Sequence, residues 1–242
     1  MKAVILAAGR GTRLGSLTSD IPKPMIRIAG APALEHIIIR IKRAGVSDIA
    51  LVVRYKAEKI MEHFEDGSRL GVHIEYVRQP ETYGTAAALL AAGDCAGDSP
   101  VITTFGDVVT AGINYRDSLR VFAERGSAGV ITVNKVPDAY AGSDVRLGPD
   151  DRVLEVVEKP LETGVEYRWN CSGIYVFGPV VFEYLERLQP SARGEYELAD
   201  AMNAMISDGL ALHASYLRGF WRDIGTVEGI ADAQKMLSED VG

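Results

Sequence analysis

Gly9-Arg10-Gly11-Thr12-Arg13, followed by Lys23 between Pro22 and Pro24, is a set of residues suited to gripping an anion. Glycine at positions 9 and 11 lets the backbone turn sharply and brings bare N–H groups close to a phosphate, which a Cβ would obstruct. Arg13 and Lys23 add fixed positive charge. Proline on each side of Lys23 restricts the local backbone, so the ammonium points in a defined direction. A generic tight turn after a core strand also uses glycine, but it needs neither the cations nor the clamp. Asp107, after Gly106, and Asp223, in Trp221-Arg222-Asp223-Ile224-Gly225-Thr226, are the next chemical candidates. A lone aspartate at a strand end serves as a helix cap or turn former more often than as a ligand. Gln79 can offer an amide to the Watson–Crick edge of a base, and Gly84 lets a base approach the backbone; on spacing alone this stretch is a loop.

These residues need a frame that brings them to one edge. Ala3 to Ala8 form a continuous apolar run followed at once by glycine, the pattern of a buried parallel strand feeding a loop. Leu34, Ile37, Ile38 and Ile41 give one apolar helical face, and Gly45 lies where that helix would stop. Ile49 to Val53 read as a second strand, Ala57, Ile60, Met61 and Phe64 as a second helix, and Val72, Ile74 and Tyr76 as a third strand. This β-α-β-α-β order implies a mostly parallel sheet with helices on both faces and right-handed crossovers.

Gln79 to Thr85 is a turn-rich loop ahead of an alanine-rich helix starting near Thr85. Val101 to Phe105 read as a core strand ending in Gly106-Asp107, which places that carboxylate in the same crevice as the first loop. Tyr115 to Arg125 read as a helix and Gly129 to Val136 as a strand. From Tyr140 the pattern shifts to an inserted antiparallel layer, Val145 to Leu147 and Val153 to Val157 around the turn Gly148-Pro149-Asp150-Asp151. Gly173 to Phe177 resume the strand pattern, Val181, Tyr184, Leu185 and Leu188 mark a helix, and Glu195 to Asp200 open another. Leu210 to Leu217 alternate as a strand before a last amphipathic helix. With no repeat, low-complexity tract or linker, a single domain over residues 1–242 is expected, without a hexapeptide-repeat tail.

The 242 residues are 47% hydrophobic, enough to bury a large α/β core. A formal charge of -7 argues against a nucleic-acid or anionic-membrane partner, while leaving room for a local basic pocket. Cys95 and Cys171 are far apart, with no CxxC and no histidine cluster, so neither a disulfide framework nor a zinc site is suggested and a reducing cytoplasm fits. The N-terminal apolar run is shorter than a signal-peptide core, and no stretch reaches about 18 apolar residues. His36, His63, His73 and His213 occupy ordinary helix or strand positions and are assigned no role. Oligomeric state is open, and a homo-oligomer is compatible with the sequence.

The stretch LAAGRGTRLGSLTSDIPKP resembles the signature of the sugar-1-phosphate nucleotidyltransferases, which runs L-A-G/A-G-x-G-T-R-L-x-P-L-T and then P-K-P. Ser16 stands where the family usually has proline. Gly106-Asp107 is similar to the family's G-D metal motif, Trp221 to Thr226 to its W-x-D-I/V-G-T motif, and Glu158-Lys159-Pro160 to its E-K-P motif. Asn170 through Tyr175 resembles its N-x-G-I-Y segment, Gln79 with Gly84-Thr85-Ala86 its base-reading segment, and Tyr140-Ala141-Gly142, with Ala141 inserted, its Y-G segment. The resemblance extends over nearly the whole chain.

That resemblance implies a doubly wound, mostly parallel α/β sheet, the Rossmann-like nucleotidyltransferase fold, with a small antiparallel sugar-binding insertion. It implies nucleotide binding by Ala8, Gly9, Gly11, Thr12, Arg13, Gln79, Gly84 and Thr85, and sugar-phosphate binding by Gly142, Glu158, Lys159 and Asn170. Asp107 and Asp223 would hold Mg2+, whose preference for one or two carboxylates plus phosphate oxygens and water suits a pair without histidine. As bland alternatives, Glu158-Lys159 is a solvated edge turn and Asn170 a turn former.

The implied reaction joins a nucleoside triphosphate to a sugar 1-phosphate and releases pyrophosphate, with Arg13 on the departing pyrophosphate and Lys23 at the reacting phosphates. The sugar phosphate is already ionised near neutral pH, so no general base is required. Gln79 leans toward UTP or dTTP, with GTP and CTP as alternatives. A nicotinamide oxidoreductase fits poorly: Leu14 stands where its third glycine belongs, and Val53-Arg54-Tyr55 where the second strand should end in an acid. A non-catalytic nucleotide-sugar sensor would be marked by loss of a catalytic cation or metal aspartate, and Arg13, Lys23, Asp107 and Asp223 are all present.

Overall fold

The computed structural model describes residues 1–82, 84–137, 142–159 and 167–239. Tyr83, Tyr140, Ala141 and Pro160, which entered the sequence reading, lie outside them, as does the side chain of Thr12. The chain runs from β1 (Lys2–Leu6) through two 3-10 turns (Thr12–Thr18 and Lys23–Met25) and a minimal hairpin, β2 (Arg27–Ile28) and β3 (Ala31–Pro32), into α1 (Ala33–Arg43). It continues through β4 (Asp48–Val53), α2 (Ala57–Phe64), β5 (His73–Arg78), α3 (Thr85–Leu90), α4 (Gly93–Ala96), β6 (Val101–Phe105), β7 (Val108–Thr110) and α5 (Ile113–Arg125). Next come β8 (Gly129–Pro137), β9 (Ser143–Leu147), β10 (Val153–Glu158), β11 (Tyr167–Phe177), α6 (Val181–Arg187), α7 (Leu198–Ser207), β12 (Leu212–Tyr216), β13 (Trp221–Asp223) and α8 (Val227–Glu239).

Seven strands form the main sheet in the order β12-β8-β11-β6-β1-β4-β5. All run parallel except β11, which is antiparallel to both neighbours, β6 and β8. Both faces are covered, which is why β1 and β4 are apolar at almost every position instead of alternating. Ala3, Ile5, Ile49, Leu51 and Val53 pack with Ile37, Ile41, Ile60 and Phe64 of α1 and α2 on one face. Their alternates Val4, Ala50 and Val52 share the opposite core with Leu89, Leu185 and Met202. The doubly wound expectation holds, and burial of each such Leu or Ile contributes roughly 1.5–3 kcal/mol.

From β1 the chain winds outward to β4 and β5, then returns to place β6 on the other side of β1. The order reverses between β1 and β6, so the crevice beyond their carboxyl ends is the natural ligand position. The signature loop leaves β1 there, and Gly106-Asp107 leaves β6 there.

The structure departs from the sequence reading in three places. The alanine-rich helix is broken into α3 and α4. The strand expected from Leu210 begins at Leu212, because Leu210 N–H closes α7 by donating to Met205 O. The strand read as Gly173 to Phe177 extends back to Tyr167, and its register shifts between Cys171 and Tyr175, where Gly173 adopts φ +83°.

Candidate active site

Asp107 and Asp223 are brought together by a strand pair outside the main sheet. β13 runs antiparallel to β7, pairing Trp221 with Thr110, Arg222 with Val109 and Asp223 with Val108. Ile224 N–H then donates to Asp107 O at 3.0 Å, so the two acidic residues end side by side. Side chains stitch the same segments together. Thr110 Oγ1 donates to Phe220 O at 2.7 Å, and the fully buried Asn114 takes Arg218 N–H on its oxygen and donates to Arg218 O and Thr110 Oγ1. Trp221 Nε1 donates to Ser172 O at 2.7 Å, tying the strand pair to β11. Each neutral bond of this kind adds about 1 kcal/mol, and losing one buried partner costs more.

The cation between the two carboxylates is Lys23. Its Nζ lies 2.5 Å from Asp107 Oδ2 and 2.8 Å from Asp223 Oδ1, and the residue is 5% exposed. The prolines act as expected, with extended Pro22 delivering Lys23 to the first position of a 3-10 turn and Met25 N–H closing onto Pro22 O. Burial is the largest influence on the ammonium and works to lower its pKa, but Asp107 and Asp223 together outweigh it and hold the pKa above the ordinary value. Gly225 shows how close the packing is: an added Cβ would lie 2.9 Å from Lys23 Nζ, 2.9 Å from Asp223 Oδ1 and 3.0 Å from Arg13 Nη2. Arg13 therefore converges on the same point. Gly225 N–H also donates to Asp223 Oδ1 at 2.6 Å, fixing that carboxylate.

Beside this cluster a cavity of about 950 Å3 opens along the carboxyl edge. Arg13 and Asp223 stand at it with Thr85 and Phe105, and the β9–β10 hairpin closes it with Gly142, Glu158 and Lys159. Asn134, Asn170 and Ser143 line it as well.

Residues 2–240 match the sequence profile of the family described as nucleotidyl transferase. The chain belongs to that family. It is 34% identical to the low-salt glycan biosynthesis nucleotidyltransferase Agl11 of Haloferax volcanii, over 99% of this chain and 67% of the relative. It is 39% identical to the bifunctional protein GlmU of Methanococcus maripaludis, over 93% of this chain and 51% of the relative. The chain thus spans only about half to two thirds of the length of these curated relatives. A Bacillus anthracis structure assigned as a glucose-1-phosphate thymidylyltransferase, in complex with sucrose, matches with a TM-score of 0.88 at 27% identity, covering 100% of this chain and 96% of that one. UDP-glucose pyrophosphorylase complexed with UDP-glucose has the same fold, with a TM-score of 0.87 at 20% identity and 98% of each chain covered.

In this member of the family the signature loop is tied down from two sides. Thr18 Oγ1 donates to Gly11 O at 2.9 Å, and Tyr55 Oη donates to Thr18 O and Ser19 O. Gly11 is left-handed at φ +70°, with Lys23 Cβ only 3.0 Å from where its own Cβ would be, while Gly9 faces open space. Ser16, at the usual proline position, accepts from Ser19 N–H and Oγ. Ala8 is half-buried where the loop leaves β1.

The other predicted residues fall less simply. Gln79 Nε2 donates to Thr82 O at 3.1 Å and Gly84 O at 3.5 Å. A Cβ on Gly84 would come within 2.1 Å of Tyr196 O, so chain packing by itself demands glycine there. Thr85 Oγ1 accepts from Leu198 N–H at the start of α7. Gly142 O accepts from Lys159 N–H, which closes the hairpin. Asn170 is 2% exposed and uses its whole amide within the protein.

The sequence reading missed Arg193 and Glu197. Arg193 is paired with the buried Glu197 and reaches to 4.0 Å from Glu158. Burial, then Glu197, raise the Glu158 pKa, against the pull of Lys159 and Arg193. The only sequence signal was a basic residue in the turn-rich Ser191 to Glu197 stretch. Both cysteines are free thiols, and burial pushes Cys171 up to about 11. Among the described residues no helix is long and apolar enough to cross a membrane.

Proposed function

We propose that this chain transfers a nucleotidyl group from a nucleoside triphosphate to a sugar 1-phosphate. The observation that carries the reading is the convergence of Arg13, Lys23, Asp107 and Asp223 on one point beside a cavity able to take two anionic substrates. A sugar phosphate oxygen attacks the α-phosphorus, the bond from that phosphorus to the bridging oxygen breaks, and pyrophosphate leaves with the electron pair. Neutralising and aligning charge is the main task, which suits fixed cations better than an acid–base pair.

Arg13 stabilises the departing pyrophosphate and Lys23 aligns the reacting phosphates. The carboxylate pair fits Mg2+, since both already direct an oxygen to within 2.8 Å of one ammonium and no histidine or thiolate is among them. Asp107 and Asp223 would hold the ion, which would supply charge neutralisation to the reacting phosphates. With an ion held by the two aspartates, the Lys23 ammonium would be released from them to serve the phosphates. Glu158 accepts hydrogen bonds from sugar hydroxyls, and Lys159 meets the sugar phosphate. The signature loop amides of Ala8 to Arg13 hold the triphosphate, where nothing in the fold crowds Gly9.

Gln79 supports UTP or dTTP. Its NH2 group is engaged by loop carbonyls, which leaves Oε1 as the acceptor for a ring N–H. Uracil and thymine carry one at N3. Guanine carries one at N1, so GTP is the second reading, whereas cytosine and adenine have a bare ring nitrogen there. The test is a matrix of nucleoside triphosphates against hexose and heptose 1-phosphates, read as pyrophosphate release. UTP or dTTP should give the highest kcat/KM. A GTP preference of about tenfold or more overturns the base assignment, and no release with any pair overturns the activity.

A further inference from the structure

Ser143 sets the direction of a chain of amides that ends in the cavity. Its backbone N–H, a donor without ambiguity, lies 2.9 Å from Asn170 Oδ1. The Ser143 hydroxyl donates to the same oxygen at 3.2 Å and accepts from Cys171 N–H at 2.9 Å. The carbonyl end of Asn170 therefore faces Ser143. Its NH2 end faces two acceptors, Cys171 O at 2.8 Å and Asn134 Oδ1 at 3.0 Å. A donor on Asn170 can be met only by an acceptor, so Asn134 must turn its oxygen inward. The group it keeps for the other side is NH2.

Asn134 and Asn170 are direct cross-strand partners on β8 and β11, so their side chains share a sheet face. Asn170 is buried, Asn134 only half-buried, and both line the cavity that also holds Glu158 and Lys159. Asn134 Nδ2 has no hydrogen-bond partner among the described residues.

We propose that Asn134 determines sugar specificity, donating a hydrogen bond from Nδ2 to an oxygen acceptor on the sugar 1-phosphate, with Asn170 and Ser143 as positioning residues. This role rests on the sugar-1-phosphate activity proposed for the chain. The acceptor is a ring hydroxyl or the carbonyl of an acyl substituent, and a deoxy carbon offers neither. An amide oriented in advance loses little freedom on binding. A site built to hydrogen-bond an oxygen rejects the analogue lacking it, because the protein group is left unpaired.

The experiment is steady-state kinetics of the unaltered protein, Asn134→Ala, Asn134→Asp and Asn170→Asp on the best sugar 1-phosphate, its single-deoxy analogues and its 2-acetamido counterpart. The unaltered protein should lose about tenfold or more in kcat/KM on one deoxy analogue. In Asn134→Ala that one penalty should shrink to within about twofold, with the nucleotide KM unchanged. Asn134→Asp separates the two acceptors: a hydroxyl can donate to the new carboxylate and activity persists, whereas an acyl carbonyl cannot and activity falls. Asn170→Asp, unable to donate to Asn134, should lose the same single discrimination, a pattern that a merely structural role would not produce. Unchanged deoxy penalties in Asn134→Ala, or an equal loss on every sugar, overturn the inference alone. No turnover by the unaltered protein on any sugar phosphate overturns the nucleotidyltransferase reading as well, so the two failures are distinguishable.

Discussion

Replacing Lys23 with methionine probes the cation centre without touching either aspartate. Methionine keeps an unbranched stem of similar length and removes the charge. The ammonium lies 2.5 Å from Asp107 Oδ2 and 2.8 Å from Asp223 Oδ1, so those oxygens are at most about 5 Å apart. At an effective dielectric constant of about 20, like unit charges about 5 Å apart repel by roughly 3 kcal/mol. The carboxylates keep 27% and 34% of their side-chain surface in solvent, and that screening brings the expected cost nearer ~2 kcal/mol. For a chain of this size that is a fall in Tm of about 4–8 °C.

Millimolar magnesium should return most of that loss, because a divalent ion can occupy the space between the carboxylates once the ammonium is gone. The paired ammonium titrates above the ordinary lysine value of 10.5. Its stabilising contribution is therefore present across neutral pH and is lost only as pH rises through the raised folded value, where the two proteins should converge. The assay is thermal unfolding of both proteins near neutral pH and on the alkaline side, with and without magnesium chloride. A Lys23→Met protein as stable as the unaltered one, or one that magnesium stabilises no more than the unaltered one, refutes the reasoning.

Gly225→Ala should lower kcat/KM by about a hundredfold while leaving Tm within a few degrees, since the new methyl group pushes apart charges that must stay aligned. Near-normal pyrophosphate release by that variant would show that the groups do not work at this point. Glu158→Gln should raise Tm relative to the unaltered protein near pH 7 and leave it equal near pH 4. The folded pKa of Glu158 is raised above 4.5, so its favourable contribution is present at low pH and is lost as pH rises through that value. A Tm difference that stays constant between those two pH values argues against an unfavourable buried charge.

The parts of the fold that the sequence made legible are those with long periodic runs. The Ala3 to Ala8 run, which forms a strand as far as Leu6, the Leu34 to Ile41 helix face and the proline clamp on Lys23 each carry several consistent residues, and each is found close to its expected place. The pairing of β7 with β13 was not legible, because three residues on each side carry no period. Its anchors are single buried polar groups such as Asn114, which in sequence looks like any helical asparagine. Asn170 was visible as a candidate, but its saturation by Ser143 and Asn134 depends on a cross-strand register that no spacing reveals. Gly84 was read for an approaching base, and the structure supplies Tyr196 as a neighbour more than a hundred residues away. Likewise, Arg193 and Glu197 meet Glu158 only because α7 packs on the β9–β10 hairpin.

Asp107 and Asp223 carry the central claim, that two carboxylates joined through β7 and β13 act as one cation site. The measurement is kcat/KM for Asp107→Asn, Asp223→Asn and the double variant across a magnesium titration, with Tm recorded for each. Either single change should cost about a hundredfold or more, and the double should cost little beyond that, since residues acting as a unit are strongly non-additive. Near-normal activity in either single variant, losses that multiply in the double, or full activity in excess chelator would contradict the account.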